Sequence, residues 1–98
     1  MSYAKIVSED IRRRVLEILE SDPDFSHNEG IIQQALGFVG HNISSDKLRT
    51  ELAWLNEQGL ISTQDVSGVV IAKLTTRGED IALNRGSAPG VARSRPQG

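Results

Sequence analysis

The sequence predicts a mainly α fold carrying one small β-hairpin, and three observations predict it. Apolar residues recur at helical spacing in three separate segments. Two β-prone runs flank the dipeptide Ser67-Gly68, which has the length and residue type of a tight hairpin loop. Glycine or proline stands where the periodic segments end. The 98 residues suit one domain, and a chain of this size buries roughly 60–65% of its unfolded surface.

Ser8 stands ahead of Glu9 and Asp10, a cap followed by acids that favour the positive end of a helix dipole. Ile11, Val15, Leu16, Ile18 and Leu19 continue as one stripe, so the first helix is expected over 9–21. Asp22-Pro23-Asp24 ends it, because proline has no backbone donor and pushes its predecessor out of helical geometry. Ser26 and Glu29 have capping-box spacing, and Ile31, Ile32, Ala35, Leu36 and Val39 follow in a second helix expected over 27–38. Gly37 or Gly40 closes it. His41-Asn42-Ile43 is too short for a helix and is expected as a minimal strand.

Ser44 or Ser45 caps the third helix, in which Leu48, Leu52 and Leu55 face one way and Asp46, Arg49, Thr50 and Glu57 largely the other. Gly59 supplies its stop. Residues 60–66 and 69–75 form the hairpin, and Thr76 with Glu79 starts a last helix to about Asn84, with Ile81 and Leu83 available for burial. The order is therefore α-α-(short β)-α-β-β-α. Helices two and three joined by a short turn, with a hairpin beyond them, make a winged helix-turn-helix over residues 1–85. Residues 86–98 carry Arg93, Arg95 and two prolines without a bulky aromatic, and are expected as a disordered basic tail.

Composition narrows the chemistry. The chain has no cysteine, so neither disulfides nor thiolate zinc sites support the core, which suits a reducing cytoplasm. No apolar run approaches the roughly 18 residues of a membrane span, and no basic-then-apolar leader opens the chain, so membrane insertion and export are not expected. His27 and His41 stand without a carboxylate cluster and are read as capping and loop residues, not metal ligands. No phosphate-cradling glycine loop and no set of nucleophile, base and orienter can be assembled, so neither an enzyme nor a cofactor is expected.

The net charge is −2, which offers little for phosphate, but it is unevenly spread. Residues 1–40 carry four bases against seven acids and residues 41–98 seven against six, so any basic footprint belongs to the second half. If the third helix enters a major groove of double-stranded DNA, Ser44, Ser45, Lys47, Arg49 and Thr50 supply its reading face. Lys73 and Arg77, near the base of the wing, can reach phosphates. The alternative for Lys47 and Arg49 is pairing with Asp46 and Glu51 on the helix surface. Asp65 beside the wing tip disfavours insertion into the minor groove. Arg12-Arg13-Arg14 splays over about 200° of helix and is read chiefly as ion pairs with Glu9, Asp10 and Glu17. Trp54 is read as a core or subunit-interface residue.

The run Leu52-Ala53-Trp54-Leu55-Asn56-Glu57-Gln58-Gly59-Leu60-Ile61 resembles the passage from recognition helix to wing in winged-helix regulators of the ArsR and MarR kinds. Leu74-Thr75-Thr76-Arg77-Gly78 resembles their exit from the wing into the final helix. The opening Met1-Ser2-Tyr3-Ala4-Lys5, residues 52–60 and the tail's Pro89-Gly90-Val91 with Arg93 and Pro96 resemble a small protein family of Mu-like transposable phages and prophages, labelled ArsR-like on fold grounds. That resemblance implies a phage setting. ArsR-type metal-binding cysteines are absent, so metal sensing is not implied. The expected function is DNA binding in transcription regulation by a homodimer joined through helices one and four. The rival is an adaptor for protein–protein contact in phage development or assembly, with the tail reaching a phage partner.

Overall fold

The computed structural model describes residues 2–94. Four helices pack with a three-stranded antiparallel sheet in the order α1 (Tyr3–Glu20), β1 (Ser26–Asn28), α2 (Glu29–Phe38), α3 (Ser45–Glu57), β2 (Ile61–Val66), β3 (Val69–Leu74) and α4 (Thr76–Ala82). In the sheet β3 lies between β1 and β2.

Each departure from the expected elements has a local cause. α1 starts at Tyr3, not 9, because Ser2 is the cap and its Oγ accepts the Lys5 amide at 3.1 Å. Nothing between Tyr3 and Ser8 breaks a helix, and extending a nucleated helix costs little. Residues 26–28 form the short strand instead of opening a helix, and Asn28 is the cap of α2, accepting the Ile31 amide at 3.0 Å. β1 pairs Ser26 with Lys73, His27 with Ala72 and Asn28 with Ile71, whereas His41-Asn42-Ile43 lies outside the sheet. A three-residue strand carries almost no periodicity. Its position follows from the free edge of β3, to which Phe25 also delivers its carbonyl, accepting from the Leu74 amide at 2.8 Å.

The hairpin forms where expected, with Ser67 and Gly68 at φ 52 and 85, the paired positive values of a turn whose twist matches its strands. α4 is capped by Thr75, not Thr76, through the Gly78 amide at 3.1 Å. Gly78 lies against the start of β2, where an added Cβ would stand 2.0 Å from the Leu60 carbonyl oxygen.

The core draws Ile11, Val15, Leu16 and Leu19 from α1, Ile32 and Leu36 from α2, and Leu48, Leu52 and Leu55 from α3. Leu60, Ile61, Ala72, Leu74, Ile81 and Ala82 close it from the sheet and α4. Leu83, expected to be available for burial, points outward as the C-cap of α4. The tail also departs from expectation over 86–94. Ala88 and Val91 are buried in the core cluster, so the folded unit extends past residue 85. The last four residues, 95–98, lie outside the described part. No helix among the described residues is long and apolar enough to cross a membrane.

Candidate nucleic-acid interface

α3 begins at Ser44, whose Oγ accepts the Lys47 amide at 3.0 Å, and Ser44 and Ser45 both remain exposed. Thr50 turns its hydroxyl back onto the Asp46 carbonyl at 3.0 Å. The leucine face is inward as the spacing predicts, so the first turn and the outer side of α3 are open to solvent.

Both cations of α3 are engaged within the chain. Lys47 Nζ sits 2.7 Å from Glu51 Oε2 and donates to Ser8 Oγ at 3.0 Å. Glu51 is only 1% exposed, and Arg12 Nε reaches its other oxygen at 2.8 Å. Burial pushes the Glu51 carboxyl up, but hydrogen bonds from Lys47, Arg12 and Ser8 together outweigh it and hold the group below its ordinary range. Arg12 thus ties α1 to α3 through a buried carboxylate, and Lys47 does so through the Ser8 hydroxyl.

Arg49 makes a fork on Glu29, Nε to Oε1 and Nη2 to Oε2, each 2.7 Å, and Nη2 also donates to the Gly68 carbonyl at 2.9 Å. Glu29 Oε2 accepts the Val70 amide at 2.7 Å as well. One ion pair therefore joins the first turn of α2, the outer face of α3 and the tip of the hairpin. The Arg49 hydrogen bonds, then the Val70 amide, lower the Glu29 pKa to about 2, and Glu29 in return raises that of Arg49. Asp65 and Asp46 add to the negative field around the guanidinium.

Lys73 is exposed on β3, between Ser26 and Ser62 in register. Arg77 is exposed at the start of α4 and donates to the Gln58 carbonyl. The structure therefore brings Arg49 and the hairpin tip together on one face. It leaves Lys73 and Arg77 at the far end of the hairpin, the end where β2 begins and β3 finishes.

The pairing of Lys47 with Glu51 follows from their four-residue spacing on a helix. Arg49 does not pair with Asp46 or Glu51. Its partner is twenty residues away, a distance at which the sequence carries no signal. Likewise Arg14 pairs with Asp10 at 3.7 Å and Glu17 at 3.3 Å as the helix predicts, whereas Arg12 leaves its own helix for Glu51.

Arg12 and Arg13 have a second task that sequence reasoning missed. Arg12 lies 3.9 Å over the Trp54 ring and donates to the Gly90 carbonyl at 2.9 Å. Arg13 is 4% exposed; its Nε donates to the Ala92 carbonyl at 2.6 Å and its Nη2 to the Ile81 carbonyl at 2.9 Å. The Ala92 amide donates to the Glu9 carbonyl at 3.1 Å. Gly90, at φ 90, passes so close to Trp54 that a Cβ would stand 2.6 Å from its Cζ2. Residues 86–94 are thus an arm seated on α1 and on Trp54. Each histidine faces one carboxylate, His27 with Asp22 at 3.3 Å and His41 with Asp10 at 2.7 Å.

Two curated relatives align with the chain. It is 39% identical over 92 residues to an uncharacterized protein of Escherichia phage Mu, gp26, spanning 94% of this chain and 95% of that one. It is 40% identical over 78 residues to an uncharacterized protein of Haemophilus influenzae, spanning 79% of this chain and 76% of the other. No family model matches the chain, and no solved structure matches it. Identity of this extent across nearly the full length of both proteins shows that the chain belongs to the family of phage Mu gp26.

Proposed function

We propose that this chain is a non-catalytic winged-helix adaptor, which binds another phage-encoded protein in the host cytoplasm through the outer face of α2. The fold name is supported by the order of α1, β1, α2, α3 and the β2–β3 hairpin, and by the central place of β3 in the sheet. The observation that carries the function is Phe38, 91% exposed at the end of α2. Val39 follows it and Ile31 lies two helical turns before it, both partly in water. Ile31 and Phe38 share one face of α2 at seven-residue spacing, and contiguous exposed apolar surface marks contact sites. The cations of α3, meanwhile, are neutralised by carboxylates of the same chain.

DNA binding is the second reading, and one observation favours it. The Arg49 side chain is 49% exposed at the junction of α3 and the hairpin tip, where a phosphate could exchange with Glu29. In that reading a homodimer joined through α1 and α4 shares the phosphate contacts, with Ser44, Ser45, Lys47, Thr50, Lys73 and Arg77 completing the set.

Amide shifts recorded during titration with mixed-sequence duplex DNA at about 50 mM salt separate the two, since phosphate contacts are strongest at low salt. The adaptor reading expects residues 44–56 to stay unmoved. It also expects capture of a co-expressed protein from the same phage to be lost in Phe38→Ser. Saturable shifts over 44–56 with capture insensitive to Phe38→Ser would replace it with the DNA reading.

A further inference from the structure

Residues 86–94 are held chiefly by their main chain. The Gly90 and Ala92 carbonyls accept from Arg12 and Arg13, and the Ala92 amide donates to the Glu9 carbonyl of α1. Only two of the arm's side chains, Ala88 and Val91, are buried. At a third point the absence of a side chain is required, because Gly90 lies flat against Trp54. Main-chain hydrogen bonds that tolerate many sequences, together with small pockets that select a few side chains, are how proteins recognise extended peptides. The seat itself belongs to α1, α3 and the end of α4. Glu9, Arg12 and Arg13 of α1 and Trp54 of α3, which meet the arm directly, all come from elements that precede it.

We propose that this seat is a peptide-binding site and that the arm is its intramolecular ligand, displaceable by an extended segment of another chain. The segment it fits has a small residue, a glycine and a valine at the spacing of Ala88, Gly90 and Val91. Trp54 is the selective element, because its ring stands where a Cβ at position 90 would go, while Arg12 covers the ring and holds the glycine carbonyl. Any larger residue in place of glycine must lift the chain away from the ring. The inference is independent of whether α2 or α3 carries the chain's other contact.

The test uses the full chain with Gly90→Leu, which should unseat the arm. The variant is expected to keep one cooperative unfolding transition while its Trp54 emission moves to the red. A synthetic peptide of residues 86–94 should then bind saturably and reverse that shift. The same peptide carrying Gly90→Leu should bind at least about tenfold more weakly, and the wild-type chain should respond far less to either. Loss of cooperative unfolding in the variant, or a Trp54 signal indifferent to the peptide, overturns the proposal. Hydrogen exchange on the unaltered chain gives an independent check, since local opening is faster than global unfolding. The Ala92 amide should exchange at least about tenfold faster than amides in the middle of α3, and equal rates would make the arm a fixed part of the core.

Discussion

Replacing Glu51 with alanine removes the one carboxylate that both Lys47 and Arg12 use, at 2.7 and 2.8 Å, from a position 1% exposed. Breaking a buried pair by deleting one partner usually costs about 3–5 kcal/mol, because the remaining charge stays out of water. The two partners here differ. Lys47 is 41% exposed and can return to solvent, while Arg12 is 18% exposed and is held over Trp54 and against Gly90. One stranded cation instead of two places the loss near the lower end, about 3 kcal/mol. For a domain of this size each kcal/mol moves the melting temperature by roughly 4–8 °C, so a fall of about 12–24 °C is expected. Calorimetry or denaturant melts at neutral pH measure it. Lys47→Ala should lose only about 1 kcal/mol or less, since it removes a half-exposed partner and leaves Arg12 in place. A Glu51→Ala variant within about 1 kcal/mol of the parent would refute the reasoning, because it would mean that the carboxylate is hydrated.

The Glu29 carboxyl is held at about 2 in the fold against an ordinary 4.5, so its contribution is complete above about pH 4.5 and is lost as pH falls toward 2. The Val70 amide resonance, followed down that range, should titrate with the carboxyl, and Glu29→Gln should abolish the movement. Gly78→Ala places a methyl 2.0 Å from the Leu60 carbonyl oxygen and should destabilise by about 1–3 kcal/mol in a denaturant melt. Arg49→Ala removes an exposed ion pair and should leave the melting midpoint close to that of the parent. It should nevertheless loosen the hairpin, read as faster exchange of the Val70 amide, because Glu29 loses the guanidinium that positions it.

The third helix was legible almost to the residue, and the first two at their C-terminal ends. α3 ends where Gly59 dictates and lays Leu48, Leu52 and Leu55 inward, because a 3.6-residue repeat leaves one side of a helix no alternative to burial. The hairpin loop was equally plain, since Ser67-Gly68 suits a backbone with two successive positive φ values. Caps were less secure, because Ser2, Asn28 and Thr75 compete with Ser8, Ser26 and Thr76, which carry equivalent chemistry nearby. The candidate site was half legible. Ser44, Ser45, Arg49 and Thr50 lie on the first turn and outer side of α3 as expected, and the Lys47–Glu51 pair is readable from its spacing, but the partner of Arg49 does not announce itself in the sequence.

Local periodicity and turn chemistry thus determined which segments are helical, which form the hairpin and which leucines meet, since each depends on residues a few positions apart. Tertiary structure alone decided where the charges without a helical neighbour go. Glu29 reaches Arg49 across twenty residues, Arg12 reaches Glu51 across thirty-nine, and two arginines of α1 seat an arm almost eighty residues downstream. An arginine side chain serves equally well on a phosphate, a carboxylate or a carbonyl, and only the packing of distant elements selects among them.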